Sequence, residues 1–208
     1  MIHFNGNVVL ASQSPRRQEL IKLIFENFRV LPADCDETLP EGMGAKTAVE
    51  YLSKIKNSAS AKAAGKDSLV ISADTVVSVD DIILGKPVDK SDARRMVTLL
   101  SGRTHQVYTG VTISFNGKSV TFSEKTDVEF YSLTNAEIEE YINSPEPYDK
   151  AYVPIWNTDK IKYEWADKAG GYAIQGTFAK HIKGINGDYY NVVGLPISRL
   201  YRELKNFI

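Results

Sequence analysis

The sequence predicts an α/β protein built on a mixed sheet, and three observations carry that prediction. Short apolar runs such as Val8–Ala11 and Leu69–Ala73 alternate with segments whose apolar residues recur at helical spacing. Two turn signals, Asp80–Asp81 and Asn116–Gly117, sit between apolar runs and mark hairpins, which bring antiparallel pairs into the sheet. A chain of 208 residues, 43% of them hydrophobic, is also long enough to bury a core without staples.

Val8–Ala11 reads as a strand that runs through Ser12–Gln13 into a helix. Ser14 suits its N-cap and Pro15 its first position. Leu20, Ile21, Ile24 and Phe28 follow at helical spacing. Lys46–Gly65 is a second helix with the stripe Val49, Leu52, Ile55, Ala59 and Ala63, and Gly65 stops it. Leu69–Ala73 is a buried strand, and Val76–Val79 and Ile82–Leu84 form a hairpin. Ser91 caps a third helix that carries Ala93, Met96, Val97 and Leu100 and closes at Gly102. Gln106–Phe115 and Lys118–Tyr131 are strands around Asn116–Gly117. Thr134 and Glu137 make a capping box ahead of Ile138, Tyr141 and Ile142. Pro196 opens a last helix, Ile197–Phe207.

Composition excludes several classes. With 25 basic and 26 acidic residues the net charge is -1, so neither bulk nucleic acid nor a polybasic membrane contact is expected as a partner. No apolar run is long enough to span a bilayer. A single cysteine, Cys35, and an N-terminus without a signal-like stretch point to the cytoplasm. The length fits one domain or two tightly joined lobes.

The residues that could carry chemistry are basic and carboxylate. Ser12, Ser14 and Arg16 surround the predicted start of the first helix, where N–H groups and paired arginines suit phosphate. An ordinary capped helix with solvated arginines is the alternative. Asp74 stands inside an apolar run, where a carboxylate needs a partner. It can serve as general base, as metal ligand, or as a residue that ends the strand by bonding nearby N–H groups. Gly85-Lys86 offers close backbone approach and a point charge; Lys54 and Lys56 offer further cations, or merely a solvated face. Asp36–Glu37 is the oxygen-rich setting that Mg²⁺ prefers, or a polar loop. No phosphate-binding P-loop, dinucleotide fingerprint, serine elbow or zinc spacing is present, and Cys35 has no activating partner. Unaided, these residues favour a metal-assisted hydrolase of phosphate esters or anhydrides.

Taken in order, seven segments resemble the Maf family of nucleoside triphosphate pyrophosphatases. They are Leu10-Ala11-Ser12-Gln13-Ser14-Pro15-Arg16-Arg17, Ser72-Ala73-Asp74-Thr75-Val76-Val77 and Leu84-Gly85-Lys86-Pro87. Next come Leu100 to Val107 (LSGRTHQV) and Glu146-Pro147-Tyr148-Asp149-Lys150. The last are Asp167 to Gly176 (DKAGGYAIQG) and Asn191 to Pro196 (NVVGLP). The resemblance implies hydrolysis of a nucleoside triphosphate to the monophosphate and pyrophosphate with a divalent cation, Mg²⁺ or Mn²⁺. It implies a two-lobed, ITPase-like α/β fold spanning residues 1–208, with a central mixed sheet flanked by helices, a cleft between the lobes, and a homodimer. Asp74 matches the family's proton acceptor; Arg16, Thr75 and Gln175 match positions tied to substrate choice; Lys56 and Lys86 match conserved lysines; Glu37 matches an acidic position near the metal. Ser-Pro-Arg-Arg resembles the branch acting on dTTP and UTP rather than the one that prefers 7-methyl-GTP. A nucleotide-binding regulator of cell division with weak or lost catalysis is the alternative reading.

One departure concerns a repeat. Asp149-Lys150-Ala151 recurs as Asp167-Lys168-Ala169, so residues 149–166 read as an insertion. Its aromatics Tyr152, Trp156, Tyr163 and Trp165 suit a lid, a subunit contact or a surface excursion. Of the two pairs, Asp167–Lys168 stays joined to Gln175 and is the expected functional one, while Glu146-Pro147 supports Asp149.

Overall fold

The computed structural model describes residues 1–144 and 163–208; Glu146-Pro147, the Asp149–Lys150 pair, Tyr152 and Trp156 lie outside the described residues. The elements run β1 (Asn7–Leu10), α1 (Pro15–Ile21), β2 (Arg29–Val30), α2 (Ala45–Ala64), β3 (Ser68–Val79), β4 (Ile82–Leu84) and α3 (Lys90–Leu100). They continue with β5 (Thr104–Phe115), β6 (Lys118–Phe130), α4 (Asn135–Asn143), β7 (Ile182–Asn186), α5 (Tyr189–Val193) and α6 (Ile197–Phe207). Two 3-10 turns, Ala169–Gly171 and Thr177–His181, precede β7.

The strands form one sheet in the order β2-β1-β3-β5-β6-β7, with β4 added to β3. β1 lies parallel to β2 and β3, whereas β4 and β7 run antiparallel to β3 and β6. The fold is therefore α/β on a mixed sheet, as the sequence predicts. The described residues form two compact units: Met1–Val76, Val107–Thr126 and Gly187–Ile208 in the first, Val77–Gln106 and Asp127–Asn186 in the second.

Turn chemistry follows the sequence closely. Asn116 and Gly117 have φ of 52° and 77°, the left-handed pair that a two-residue hairpin between right-twisted strands requires. Asp80 and Asp81 adopt the same geometry, φ 50° and 61°, without a glycine. The β3–β4 register Val79↔Ile82 imposes it. Ser14 caps α1 and Thr134–Glu137 form the capping box of α4. The start of α3 differs: the cap is Asp89, not Ser91, because the Asp89 carboxylate accepts from the Asp92 N–H at 2.7 Å. α1 stops at Ile21, and the chain then turns toward β2, so Phe25 rather than Phe28 joins Ile24 in the core.

The first unit departs most from its predicted stripe in α2. Ala48, Val49, Leu52, Ser53, Asn57 and Ser60 are buried, whereas Ile55, Ala59 and Ala63 are not. The helix is turned so that small polar side chains meet the sheet. Asn57 Nδ2 donates to the carbonyls of Val70 and Thr112, both at 3.0 Å. Ser53 and Thr112 share a hydroxyl bond of 2.9 Å, and the Ser72 hydroxyl donates to the Ser53 carbonyl at 2.7 Å. Each of these side chains is hydrogen-bonded, which offsets the cost of burying it. Small residues also let the helix lie close: at Gly110 of β5 an added Cβ would stand 2.2 Å from the Val49 carbonyl oxygen.

The second unit packs an aromatic core in which Phe130, Tyr172 and Phe178 surround His105 or one another at 4.6–5.4 Å between centroids. Trp165, which the sequence placed in the insertion, is buried, and its Nε1 donates to the Ile142 carbonyl at 3.1 Å. His105 is fully buried and meets the Tyr172 hydroxyl through Nε2 at 2.8 Å. Burial pushes its imidazole down to about 3. An unfolded chain takes up that proton near pH 6.5, so the stability from the neutral ring is whole above pH 6.5 and is lost as the pH falls toward 3. The expected slope from this group is about 1.4 kcal/mol per pH unit within that window. Denaturant unfolding at pH 7.5, 5.5 and 4.5 checks it: His105→Gln should flatten the pH dependence, and parallel curves for both proteins would contradict the assignment.

Candidate active site

Asp74 sits in the interior of β3, which runs without a break from Ser68 to Val79. The sequence divided this stretch into two strands; one continuous strand means that Asp74 does not terminate it. Only 9% of the residue is exposed. The turn of α2 that buries Ser53 and Asn57 brings Lys56, between them in sequence, to this carboxylate. Lys56 Nζ pairs with Asp74 Oδ1 and, at 2.8 Å, with Glu37 Oε2. One ammonium thus holds two carboxylates from separate segments. Asp36, the other half of the acidic pair, turns away: its Oδ1 accepts from the Thr38 N–H at 2.9 Å and hydroxyl at 2.6 Å, and these bonds lower its pKa. Burial, and next Glu37, push the Cys35 thiol up, which suits a thiol rather than a nucleophilic thiolate.

Arg17 is the residue that sequence reasoning passed over in favour of Arg16. Its Nε donates to the Gly194 carbonyl at 2.8 Å, Nη2 to Thr75 Oγ1 at 3.0 Å and Nη1 to Ser12 Oγ at 3.4 Å. Burial lowers its pKa, opposed by Asp74 and then, after Arg16, by Glu37. A signal was present: Arg17, Leu20, Ile21 and Ile24 have the i, i+3, i+4, i+7 spacing of one helix face. Arg16 lies half-buried in the first turn of α1. The Ser14 hydroxyl caps the Arg17 N–H and Ser12 Oγ accepts from the Ser14 N–H at 3.2 Å. Both serines thereby shape the loop.

The hydroxyls beyond Arg17 have a fixed polarity. Thr109 donates to the Asn191 carbonyl at 3.0 Å, and its hydroxyl lies 2.9 Å from that of Thr75. A hydroxyl has one proton, so Thr75 donates to Thr109 and accepts from Arg17. Toward a ligand, Thr75 can then act only as an acceptor. Asn191 itself is tied to the Val107 carbonyl at 3.0 Å and Thr126 Oγ1 at 2.9 Å. The segment Asn191–Pro196 is thus the scaffold of this relay.

In the second unit the Leu84–Pro87 loop joins the segment after Asp167–Lys168. The Gly170 N–H donates to the Gly85 carbonyl at 3.0 Å, and Gly171 faces Pro87. Lys86 is exposed on this loop; Lys168 is buried and pairs with Asp167 at 2.5 Å. Gln175 projects from an exposed turn before Gly176. Ser12, Ser14, Arg16, Glu37, Lys56, Asp74 and Thr75 belong to the first unit, and Lys86, Asp167, Lys168 and Gln175 to the second.

Among the described residues no group of three or more histidine, cysteine or acidic side chains could cage a metal. Two carboxylates, Asp74 and Glu37, nevertheless converge on one cation, Lys56. That donor set fits Mg²⁺ or Mn²⁺, which take one or two carboxylates and complete their shell with water and substrate phosphates.

A family model described as "Maf-like protein" matches residues 7–152 and 157–207. The chain is 46% identical over 219 residues to a dTTP/UTP pyrophosphatase of Agathobacter rectalis, covering 96% of this chain and 97% of that one. It is 44% identical over 200 residues to a dTTP/UTP pyrophosphatase of Bacillus anthracis, covering 96% and 95%. Among solved structures, the Ham1 protein of Staphylococcus aureus aligns with a TM-score of 0.47 at 16% identity, over 97% of this chain and all of that one.

Proposed function

Because this chain belongs to the Maf-like protein family, we propose that it is a nucleoside triphosphate pyrophosphatase acting on dTTP and UTP. The observation that carries the reading is the convergence of Asp74 on β3 and Glu37 on the Lys56 ammonium of α2, found in a chain 44–46% identical to dTTP/UTP pyrophosphatases.

Water attacks the α-phosphorus, the bond from that phosphorus to the α,β-bridging oxygen breaks, and pyrophosphate leaves. Asp74 takes the proton released by the attacking water. Asp74 and Glu37 would also hold the divalent cation, whose chemistry is to neutralise charge on the phosphate oxygens. Lys56 orients the Asp74 carboxylate through their ion pair. Arg16, Lys86 and Lys168 supply positive charge to the triphosphate, with Ser12 and Ser14 as hydroxyl contacts and Asp167 fixing Lys168. Thr75, acting as an acceptor, suits the N3–H of thymine or uracil and does not suit the N3 lone pair of cytosine. The Gln175 amide, donor and acceptor at once, suits a carbonyl edge of either base.

A single cysteine supports work in the cytoplasm. The family resemblance supports a homodimer. Pyrophosphate release from a panel of triphosphates with Mg²⁺ or Mn²⁺ tests the reading. Release from dTTP and UTP well above that from CTP and 7-methyl-GTP is expected; nucleotide binding without release would instead mark a regulator.

A further inference from the structure

Glu164 is buried, with 1% of the residue exposed, and a buried carboxylate is costly unless it is bonded. Its Oε2 accepts from the Thr177 hydroxyl at 2.6 Å and from the Thr177 N–H at 3.2 Å. Its Oε1 has no hydrogen-bond partner among the described residues. Gly176, between Gln175 and Thr177, has φ of 133°, and a Cβ there would stand 2.2 Å from Oε1. The carboxylate therefore fills the space under the turn and pins its far side. Trp165, the next residue, is buried and bonds the Ile142 carbonyl at 3.1 Å, which anchors the backbone beside Glu164.

The sequence repeat is also longer than three residues. Glu146-Pro147-Tyr148-Asp149-Lys150-Ala151 and Glu164-Trp165-Ala166-Asp167-Lys168-Ala169 share the pattern E-x-x-D-K-A. In the second copy the glutamate reaches Thr177 and so ties that copy to the turn bearing Gln175. We infer that Glu164 is a positioning residue for Gln175, and that the copy at 164–169 is the working one. The inference rests on the proposed activity and on Gln175 reading the base; Glu164 touches no substrate. A glutamate that served packing alone would be replaceable without any change in which base is chosen.

Steady-state kinetics with dTTP and CTP test it. Glu164→Ala should lower the dTTP-over-CTP ratio of kcat/KM by about tenfold through KM, with kcat for dTTP within about threefold. Glu164→Gln, whose amide oxygen can still accept from Thr177, should restore most of the ratio. Thr177→Val removes the hydroxyl bond at an exposed residue and should shift the ratio in the same direction, which decides the matter if Glu164→Ala does not fold. Glu146→Ala should change nothing. An unchanged ratio in Glu164→Ala or, failing that, in Thr177→Val overturns the inference, as does an equal loss for both substrates. Wild-type protein that releases pyrophosphate from no triphosphate overturns the proposed activity and this inference with it. An active, dTTP-selective wild type with indifferent variants overturns only the role of Glu164.

Discussion

Asp74→Asn is expected to lower pyrophosphate release by about 10²–10⁴-fold while triphosphate binding persists. Asparagine keeps the shape and an oxygen for Lys56, but it cannot take a proton from water. It also removes one negative charge from the side of the site where Lys56 and Glu37 already meet. Binding of dTTP, measured by calorimetry without metal, should therefore be as tight as in the wild type or tighter. Turnover within threefold of the wild type would remove Asp74 from the mechanism. Loss of binding together with turnover would make it a structural partner of Lys56. Lys56→Met is the companion: it leaves two carboxylates facing the triphosphate without a cation, so KM should rise more than kcat falls.

Gly110→Ala is expected to be the most damaging single methyl group in the first unit. The new Cβ would meet the Val49 oxygen at 2.2 Å, the Val49 carbonyl carbon at 2.4 Å and the Glu50 nitrogen at 2.8 Å. All three are helix backbone, so no rotamer change relieves them. α2 must lift from the sheet, which strains the Ser53–Thr112 bond and both Asn57 bonds. Overpacking of this kind costs about 1–3 kcal/mol or more. For a chain of this size that corresponds to a drop of roughly 3–10 °C in Tm. Because α2 carries Lys56, activity should fall as well. Gly184→Ala, where no atom lies within 4 Å of the added Cβ, is the control and should leave Tm in place. Equal melting temperatures for the two variants would show that α2 has room to move.

These two predictions differ in how much of them the sequence carried. Asp74 was legible because a lone carboxylate in an apolar run requires a partner. Its pairing with Lys56 was not: Lys56 read as a cation for phosphate or as part of a solvated face, since the predicted stripe of α2 followed apolar residues alone. Ser53, Asn57 and Ser60 displaced Ile55, Ala59 and Ala63 from the buried face because hydrogen bonds satisfy them there: Asn57 to the Val70 and Thr112 carbonyls, Ser53 to the Thr112 hydroxyl, and Ser60 to the Leu31 carbonyl. Arg17 was hidden for a related reason. A charged residue is assigned to solvent by default, and only its bonds to Gly194 and Thr75, distant in sequence, reveal why it turns inward. Gly110 gave no local sign at all, because its φ is ordinary and only a neighbouring helix makes a side chain impossible there.

By itself the sequence determined the α/β class, the hairpin turns, most helix caps, the family and the carboxylate in the apolar strand that became the candidate base. Each of these is written in local chemistry: the period of apolar residues, a left-handed Asn-Gly pair, a serine before a proline, a charge where none belongs. Tertiary structure alone decided which face α2 buries, which arginine is a strut, how Thr75 directs its proton, and that Glu164 supports the turn after Gln175. Those outcomes depend on hydrogen bonds between segments far apart in the chain, and such bonds leave no periodic trace in the sequence of either partner.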